Sequence, residues 1–447
     1  MSGVHTVMTA APVASPAPAA PRGLNPGPVP RRLLVALLWL YSTAGPIAEA
    51  LTTNRAFYTE GEAVVAAPPV ALTYSLVGIG VPLLALAIAG VALLFTRVSL
   101  LAVTVVTLPS AVLLVSQFLF ERGLVVSILV PAVVGLLVVA TGIRLSDLVV
   151  LGYLGGLVAV VSLVGTVVAP QNVFMSAGLA QVEKSITGAP LLAGIFSHSN
   201  ILGMFLAMSL PFAFLVKRWV IQFAIVSAIG AALVLTSSRT ALSGAVVVLA
   251  VVVVGWLLPR APWRVLCTAG FAVAVVALFR IPFGETDPSA YTYRGGIWMF
   301  NIERWHENEL FGLGATWYTD HYAELRRYLS SAASHAHNEA LTLLVQGGVV
   351  LVAAVAVVVT LAFVGAARQT RRSRGIAAMS FVLGFLVISF TETTFPILKY
   401  GPTSAVSLVP LLVLAVDACR RAASPSPLAP PALDGDPAAP RWRPWAR

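Results

Sequence analysis

Uninterrupted runs of about 17 to 25 apolar residues recur about twelve times along this chain, and no other feature restricts its fold as much. A helix rises about 1.5 Å per residue, so a run of about 20 is what a crossing of the roughly 30 Å hydrocarbon core requires. The runs are Leu33–Leu51, Ala71–Phe95, Ser99–Phe120, Leu124–Thr141, Leu148–Val168, Pro190–Val216, Trp219–Thr236, Ala241–Leu258, Val265–Phe283, Ala340–Val364, Ile376–Thr391 and Thr403–Asp417. They are continuous and do not alternate, which favours helices over barrel strands, the two structures that satisfy their backbone hydrogen bonds in lipid. Composition agrees, since 58% of the 447 residues are apolar and 10% charged, where a soluble domain carries about 25% charge. The expectation is an all-α polytopic membrane protein of about 12 transmembrane helices, spanning residues 33–423.

The flanks differ in kind. Residues 1–32 are rich in Ala and Pro without an apolar core, so they read as a disordered cytoplasmic tail and not as a cleaved signal peptide, and residues 424–447 read the same way. Cys267 and Cys419 both lie in apolar runs, which gives neither a disulfide framework nor a cysteine metal site.

The formal net charge of +10 invites a nucleic-acid reading until the charges are placed. With the N-terminus inside, about 18 of the 28 Lys and Arg fall on the cytoplasmic side, and about 14 of the 18 Asp and Glu fall outside. The excess therefore records the positive-inside rule, and no nucleic acid is needed. The same orientation puts one large external loop at residues 284–339 and the turn Ser237-Ser238-Arg239 beside it on the outer side. No ATP is available there, and the chain has no phosphate-cradling glycine loop followed by Lys, so any chemistry uses a substrate that is already activated.

Polar residues that interrupt the apolar pattern are the candidates for function. Arg239 lies between two runs with almost no loop, at a depth where an arginine is costly unless it is paired or snorkels to headgroups. Its planar fork suits phosphate. Ser197-His198-Ser199-Asn200 sits inside the Pro190 run, so these residues break that helix, line a cavity or cap a helix end. In the loop, Ile297, Trp298, Ile302 and Trp305 recur at helical spacing around Arg294, which predicts an amphipathic helix on the outer leaflet. A second short helix is expected from His321 to Leu329, with Arg326 and Arg327 reaching headgroups. The loop closes on His335-Ala336-His337-Asn338-Glu339 at the mouth of the next run. Histidine titrates nearest neutrality, so it can take a hydroxyl proton or, when charged, hold a phosphate oxygen. Two histidines with Asp320, His321 or Glu339 also raise a metal site, but no H-E-x-x-H or paired-cysteine spacing supports it, and the expectation is no metal.

Four pieces, in this order, resemble the O-antigen ligase and O-antigen polymerase family of bacterial envelope proteins. They are Phe196-Ser197-His198-Ser199-Asn200, then Thr236-Ser237-Ser238-Arg239-Thr240, then Arg294-Gly295-Gly296-Ile297-Trp298 running to Gly312-Leu313-Gly314, and His335-Ala336-His337-Asn338 before Gly347-Gly348. The likeness covers about Gly194 to Leu351, and it departs from the family where Val349-Val350-Leu351 replaces a further glycine. It implies a GT-C type glycosyltransferase without cofactor, inverting and metal-independent, whose external cavity holds an undecaprenyl-pyrophosphate-linked glycan. Carried over by position, Arg239 and Arg294 grip the pyrophosphate and His337 assists the acceptor hydroxyl, with His335 as second choice. His335, Asn338, His198, Asn200, Ser238 and Trp298 form the expected substrate-binding set.

The implied partners are a lipid-linked oligosaccharide donor, a glycan or lipid acceptor and membrane lipids, in a bacterial inner membrane with both termini cytoplasmic. The acceptor separates a ligase from a repeat-unit polymerase for capsule or exopolysaccharide, and the residues do not choose. A glycolipid transporter or flippase is the alternative of another class, but it calls for mid-membrane charges and related halves, and neither is visible in the sequence.

Overall fold

The computed structural model describes residues 27–54, 68–96, 98–120, 123, 125–175, 184–329, 334–396 and 400–423. Most of the two expected tails lies outside these residues. Among them every regular element is helical, apart from one antiparallel bridge between Phe174 and Leu192. The principal helices are α1 (Pro28–Thr52), α2 (Pro68–Phe95), α3 (Leu100–Leu119), α4 (Leu129–Thr141), α5 (Val149–Val168), α6 (Ser199–Ala213) and α7 (Trp219–Thr236). They continue as α8 (Arg239–Leu257), α9 (Arg260–Gly284), α10 (Ala290–Trp305), α11 (Tyr322–Leu329), α12 (Glu339–Ala367), α13 (Arg372–Ile388) and α14 (Ser404–Ala423). α1 starts five residues before its expected apolar run because Pro28 lies in its first turn, where a missing N–H costs nothing.

Eight helices among the described residues are long and apolar enough to cross a membrane: α1, α2, α3, α5 with its lead-in turn, α7, α8, α9 and α12. The other four expected runs are helical as α4, α6, α13 and α14. The first three have only 13, 15 and 17 residues, and α14 ends on Asp417, Arg420 and Arg421. The largest departure is in Pro190–Val216, where, of the readings the sequence left open for Ser197–Asn200, a broken run with a capped helix end is the one seen. Residues 190–198 are not helical, and α6 begins only at Ser199. Gly194 adopts φ 57°, and the segment spends its backbone groups on neighbours instead, with Leu192 N–H donating to Leu235 O at 3.0 Å and Ala193 N–H to Val173 O at 2.8 Å. Irregular backbone at this depth is tolerated because residues 191–196 are buried in protein.

The bundle core forms where α12 packs on α14 and α3, and α13 packs on α8. Contact is close enough at Gly365 that a Cβ there would lie 2.1 Å from the Leu414 carbonyl oxygen, the small-residue packing expected between membrane helices. At the end opposite the loop, arginines serve the helix termini. Arg372 donates to the carbonyls of Gly255, Trp256 and Leu258 at the end of α8, and Arg420 to Val139 O of α4. The buried Arg31 holds Asp147 at 2.7 Å, tying α1 to the turn that leads into α5.

α12 is interrupted at Gly348, with φ 63° and ψ −164°, a conformation essentially reserved to glycine. The chain just after α10 docks into that break. Val349 N–H donates to Glu309 O at 2.9 Å, and Leu313 N–H donates to Val345 O at 2.7 Å. The loop thereby satisfies the backbone groups that the break frees. A Cβ on Gly348 would sit 2.2 Å from Leu310 O, whereas Gly230, on an exposed face of α7, has nothing within 4 Å. Gly348→Ala is expected to cost about 2–4 kcal/mol and lower the thermal unfolding temperature in detergent, while Gly230→Ala leaves it unchanged or slightly raised.

Candidate functional site

Both ends of the large loop return to one place. At its start, Tyr291, Thr292 and Tyr293 adopt φ of 52°, 63° and 64°, three left-handed residues in succession, and the regular turns of α10 begin at Arg294. Gly295 is required there, since a Cβ would lie 2.0 Å from Asp287 O. The turn aims Arg294 inward. Its Nη2 donates to Glu392 Oε1 at 2.6 Å, and its Nη1 faces Thr240 Oγ1 at 3.5 Å. α10 does not lie as a free amphipathic helix against lipid, because Trp298 is buried in a cluster with Leu313, Trp317, Leu325, Ala336 and Leu341. Burying the ring in this protein cluster places Arg294 more firmly than a headgroup layer could.

At the loop's end, residues 334–338 make a tight turn around His337, whose φ is 49°. Three contacts hold it. His337 N–H donates to His335 Nδ1 at 3.0 Å, Trp298 Nε1 donates to His337 O at 3.4 Å, and Ala336 N–H donates to Thr342 Oγ1 at 3.2 Å. Asn338 then caps α12, accepting from Leu341 N–H at 2.9 Å, while its Nδ2 donates to Leu278 O and Phe390 O at 3.0 and 3.1 Å. Fully buried and bonded to backbone on every side, Asn338 fixes α9, α12 and the end of α13 around the histidines.

The third contributor is Glu392, four residues past the end of α13 and 5% exposed in its side chain. Beyond Arg294, its Oε1 accepts from Asn200 Nδ2 at 3.0 Å, and its Oε2 lies 3.5 Å from His337 Nδ1. Asn200 in turn accepts from Lys184 Nζ at 2.8 Å, and Thr391 Oγ1 pairs with Thr240 Oγ1 at 2.6 Å. Glu339, which the sequence offers as a metal ligand, instead accepts with Oε2 from the N–H groups of Thr394 and Phe395 and pins the strand of chain that carries Glu392.

The sequence-selected residues therefore divide. Arg294, His337, His335 and Asn200 meet around Glu392. His198 caps α6 by accepting from Asn200 N–H, Ser238 caps α8, and Trp298 supports the histidine turn. Arg239 is the first residue of α8, beside Thr240; it is exposed, and its guanidinium has no partner among the described residues. Arg326 and Arg327 are exposed on α11, whose Leu325 is buried. Sequence reasoning missed Glu392, Lys184 and the threonine pair. The available signal was Thr391-Glu392-Thr393-Thr394 immediately after an apolar run, a carboxylate set among hydroxyls where lipid-facing residues stop.

Burial pushes the Glu392 carboxyl up, but His337, Arg294 and His335 around it outweigh that effect and hold it below its ordinary range. Burial and the neighbouring His337 push His335 down to about 3. The bond from His337 N–H says the same, since only a bare Nδ1 can accept it. His335, His337 and Glu392 bring potential ligand atoms within 4.8 Å of one another, a set from which a metal site could be built. Arg294, 2.6 Å from Oε1, opposes a dication there. Both shifts have the same sign for stability. The unfolded imidazole takes its proton near 6.5 and the folded one only near 3, so stability falls as pH drops through that window. The Glu392 contribution is present above its ordinary 4.5 and is lost below it. Thermal unfolding in detergent is therefore expected at lower temperature at about pH 4 than at about pH 7, with His335→Gln flattening the dependence.

Comparison with known proteins bears on this loop. No curated protein matches the chain. Residues 223–356 match the family model described as O-antigen ligase, a segment that holds Arg239, Arg294, His335, His337 and Asn338 and leaves out Lys184, Asn200 and Glu392. Over α8, α9, the large loop and the first half of α12, the family to which this chain is similar is that of the O-antigen ligases.

Proposed function

We propose that the chain is a membrane glycosyltransferase of O-antigen ligase type, moving a glycan from an undecaprenyl-pyrophosphate donor to an acceptor hydroxyl on the outer face of the inner membrane. The observation that supports this reading most is that Arg294 and His337, from opposite ends of one loop, share the carboxylate of Glu392. The two groups read as phosphate-binding and proton-accepting share this carboxylate, and Arg239, exposed and without a partner among the described residues, directly precedes the Thr240 that Arg294 faces.

The acceptor oxygen bonds to the anomeric carbon of the donor sugar while the bond from that carbon to the pyrophosphate oxygen breaks. Attack from the face opposite the leaving group inverts the centre. The electron pair departs on the phosphate, where Arg239 and Arg294 meet the developing charge, and the hydroxyl proton passes to His337. Guanidinium groups placed before the charge develops supply stabilisation of the kind that commonly dominates catalysis. They also fill the role that a metal ion plays in other phosphate-leaving reactions.

Purified protein with radiolabelled lipid-linked glycan and an acceptor tests the reading, with release of free lipid pyrophosphate as the readout. A transporter releases none. His337→Ala is expected to lower kcat by about 10²–10⁴. Arg239→Ala removes an exposed side chain without a partner among the described residues, so it is expected to cost about 10²-fold in transfer with an unchanged unfolding temperature. EDTA leaves the rate unaltered. Parental rates from both variants refute the assignment.

A further inference from the structure

We infer that Glu392 is the positioning residue of the transfer, keeping the proton of His337 on Nδ1 so that Nε2 is the base, while its other oxygen anchors Arg294. The inference rests on the reading of His337 as proton acceptor and adds a residue that lies outside the family-matched segment.

The geometry of the carboxylate carries it. A counterion serving Arg294 alone gains most by presenting both oxygens to the guanidinium fork. Here Oε1 takes Arg294 and Asn200, at 2.6 and 3.0 Å, and Oε2 is turned to His337 Nδ1 at 3.5 Å. That Nδ1 is buried and has no hydrogen-bond partner among the described residues, which leaves Oε2 as the acceptor it faces at ion-pair distance. A bare Nδ1 would set a lone pair against an anionic oxygen, so the proton belongs on Nδ1. Nε2 is then bare. The contact is longer than a formed hydrogen bond, and catalytic hydrogen bonds are often long before substrate is bound and tighten in the complex.

His335 is fixed in the opposite state. Its Nδ1 accepts from His337 N–H at 3.0 Å, so its proton lies on Nε2 and neither nitrogen can receive another without losing that bond. The rings stand edge to face with centroids 4.1 Å apart. Two histidines one residue apart therefore hold different tautomers, and only His337 has a nitrogen free to accept. The charged and titratable groups facing it are His335 from its own turn, Arg294 from α10 and Glu392 beyond α13, with Lys184 reaching the cluster through Asn200.

The experiment is the pH dependence of kcat/KM for lipid-linked glycan with the full-length protein. A carboxylate beside an imidazole favours its protonated form. Glu392→Gln is therefore expected to move the acidic limb to lower pH, and to lower the plateau kcat about tenfold or more. Glu392→Asp keeps the charge but draws it back by one methylene, and is expected to lower kcat with the limb shifted by less. Should the Gln variant fail to accumulate, a parental kcat from Glu392→Asp overturns the inference. So does a Gln variant of normal unfolding temperature whose limb stays in place, since loss of a merely structural contact changes rate and stability without moving a titration. Full activity in His337→Ala, by contrast, overturns the reading of the base itself, so the two failures are distinct.

Discussion

A charge buried inside a helical bundle must be answered by other side chains, and the carboxylate of Glu392 is answered from three separate stretches of chain. Asn200 comes from the first turn of α6, Arg294 from the first turn of α10 and His337 from the turn before α12. Removing one partner of such a pair typically costs about 3–5 kcal/mol, because it strands the other charge. The arrangement therefore fixes more than local geometry. It sets where both ends of a loop of more than fifty residues come down, and with them the relation between Arg294 and His337.

The loop is held equally firmly along its length. By breaking α12 at Gly348, the chain exposes backbone groups that lipid cannot satisfy, and the stretch from Glu309 to Leu313 answers them. Ser116 of α3 adds a bond to Phe311 O at 3.2 Å. The loop is thus a wedge of the bundle, with Trp298, Trp317 and Leu325 filling the space between it and α12. A rigid mount of this kind suits a site whose groups must stand ready before charge develops, and it explains why His337 can be kept at a left-handed φ.

Much of this was legible in the residues. Apolar run length located the helices, and the short interval at Ser237-Ser238 predicted the tight turn that sets Arg239 at the start of α8. Arg294 and His337 were singled out within the loop by residue type and by their place in the O-antigen ligase likeness, and not by the apolar pattern. What the sequence could not give was direction. Pro190–Val216 has helical length and composition, yet its first third bonds to Val173 and Leu235, partners that no local pattern announces. Trp298 fits an interfacial periodicity as well as a buried one, since the pattern marks an apolar face without saying whether lipid or protein covers it. Glu392 was passed over because a lone acid after a helix is ordinarily solvated. Its meaning lies in Arg294, 98 positions earlier, and His337, 55 earlier.

Arginine makes the same point more sharply, because one residue type does two kinds of work at the two ends of the bundle. Arg372 and Arg420 spend their donors on carbonyls left open where helices end, an arrangement that offsets the negative end of the helix dipole. Those groups are satisfied and offer a ligand little. At the loop end, Arg294 has a carboxylate partner that an anion can compete with or share, and Arg239 has none among the described residues. A net charge of +10 does not distinguish these cases. The distinction is made by what each guanidinium already holds, which is helix-end carbonyl oxygen for Arg372 and Arg420 and a buried carboxylate for Arg294.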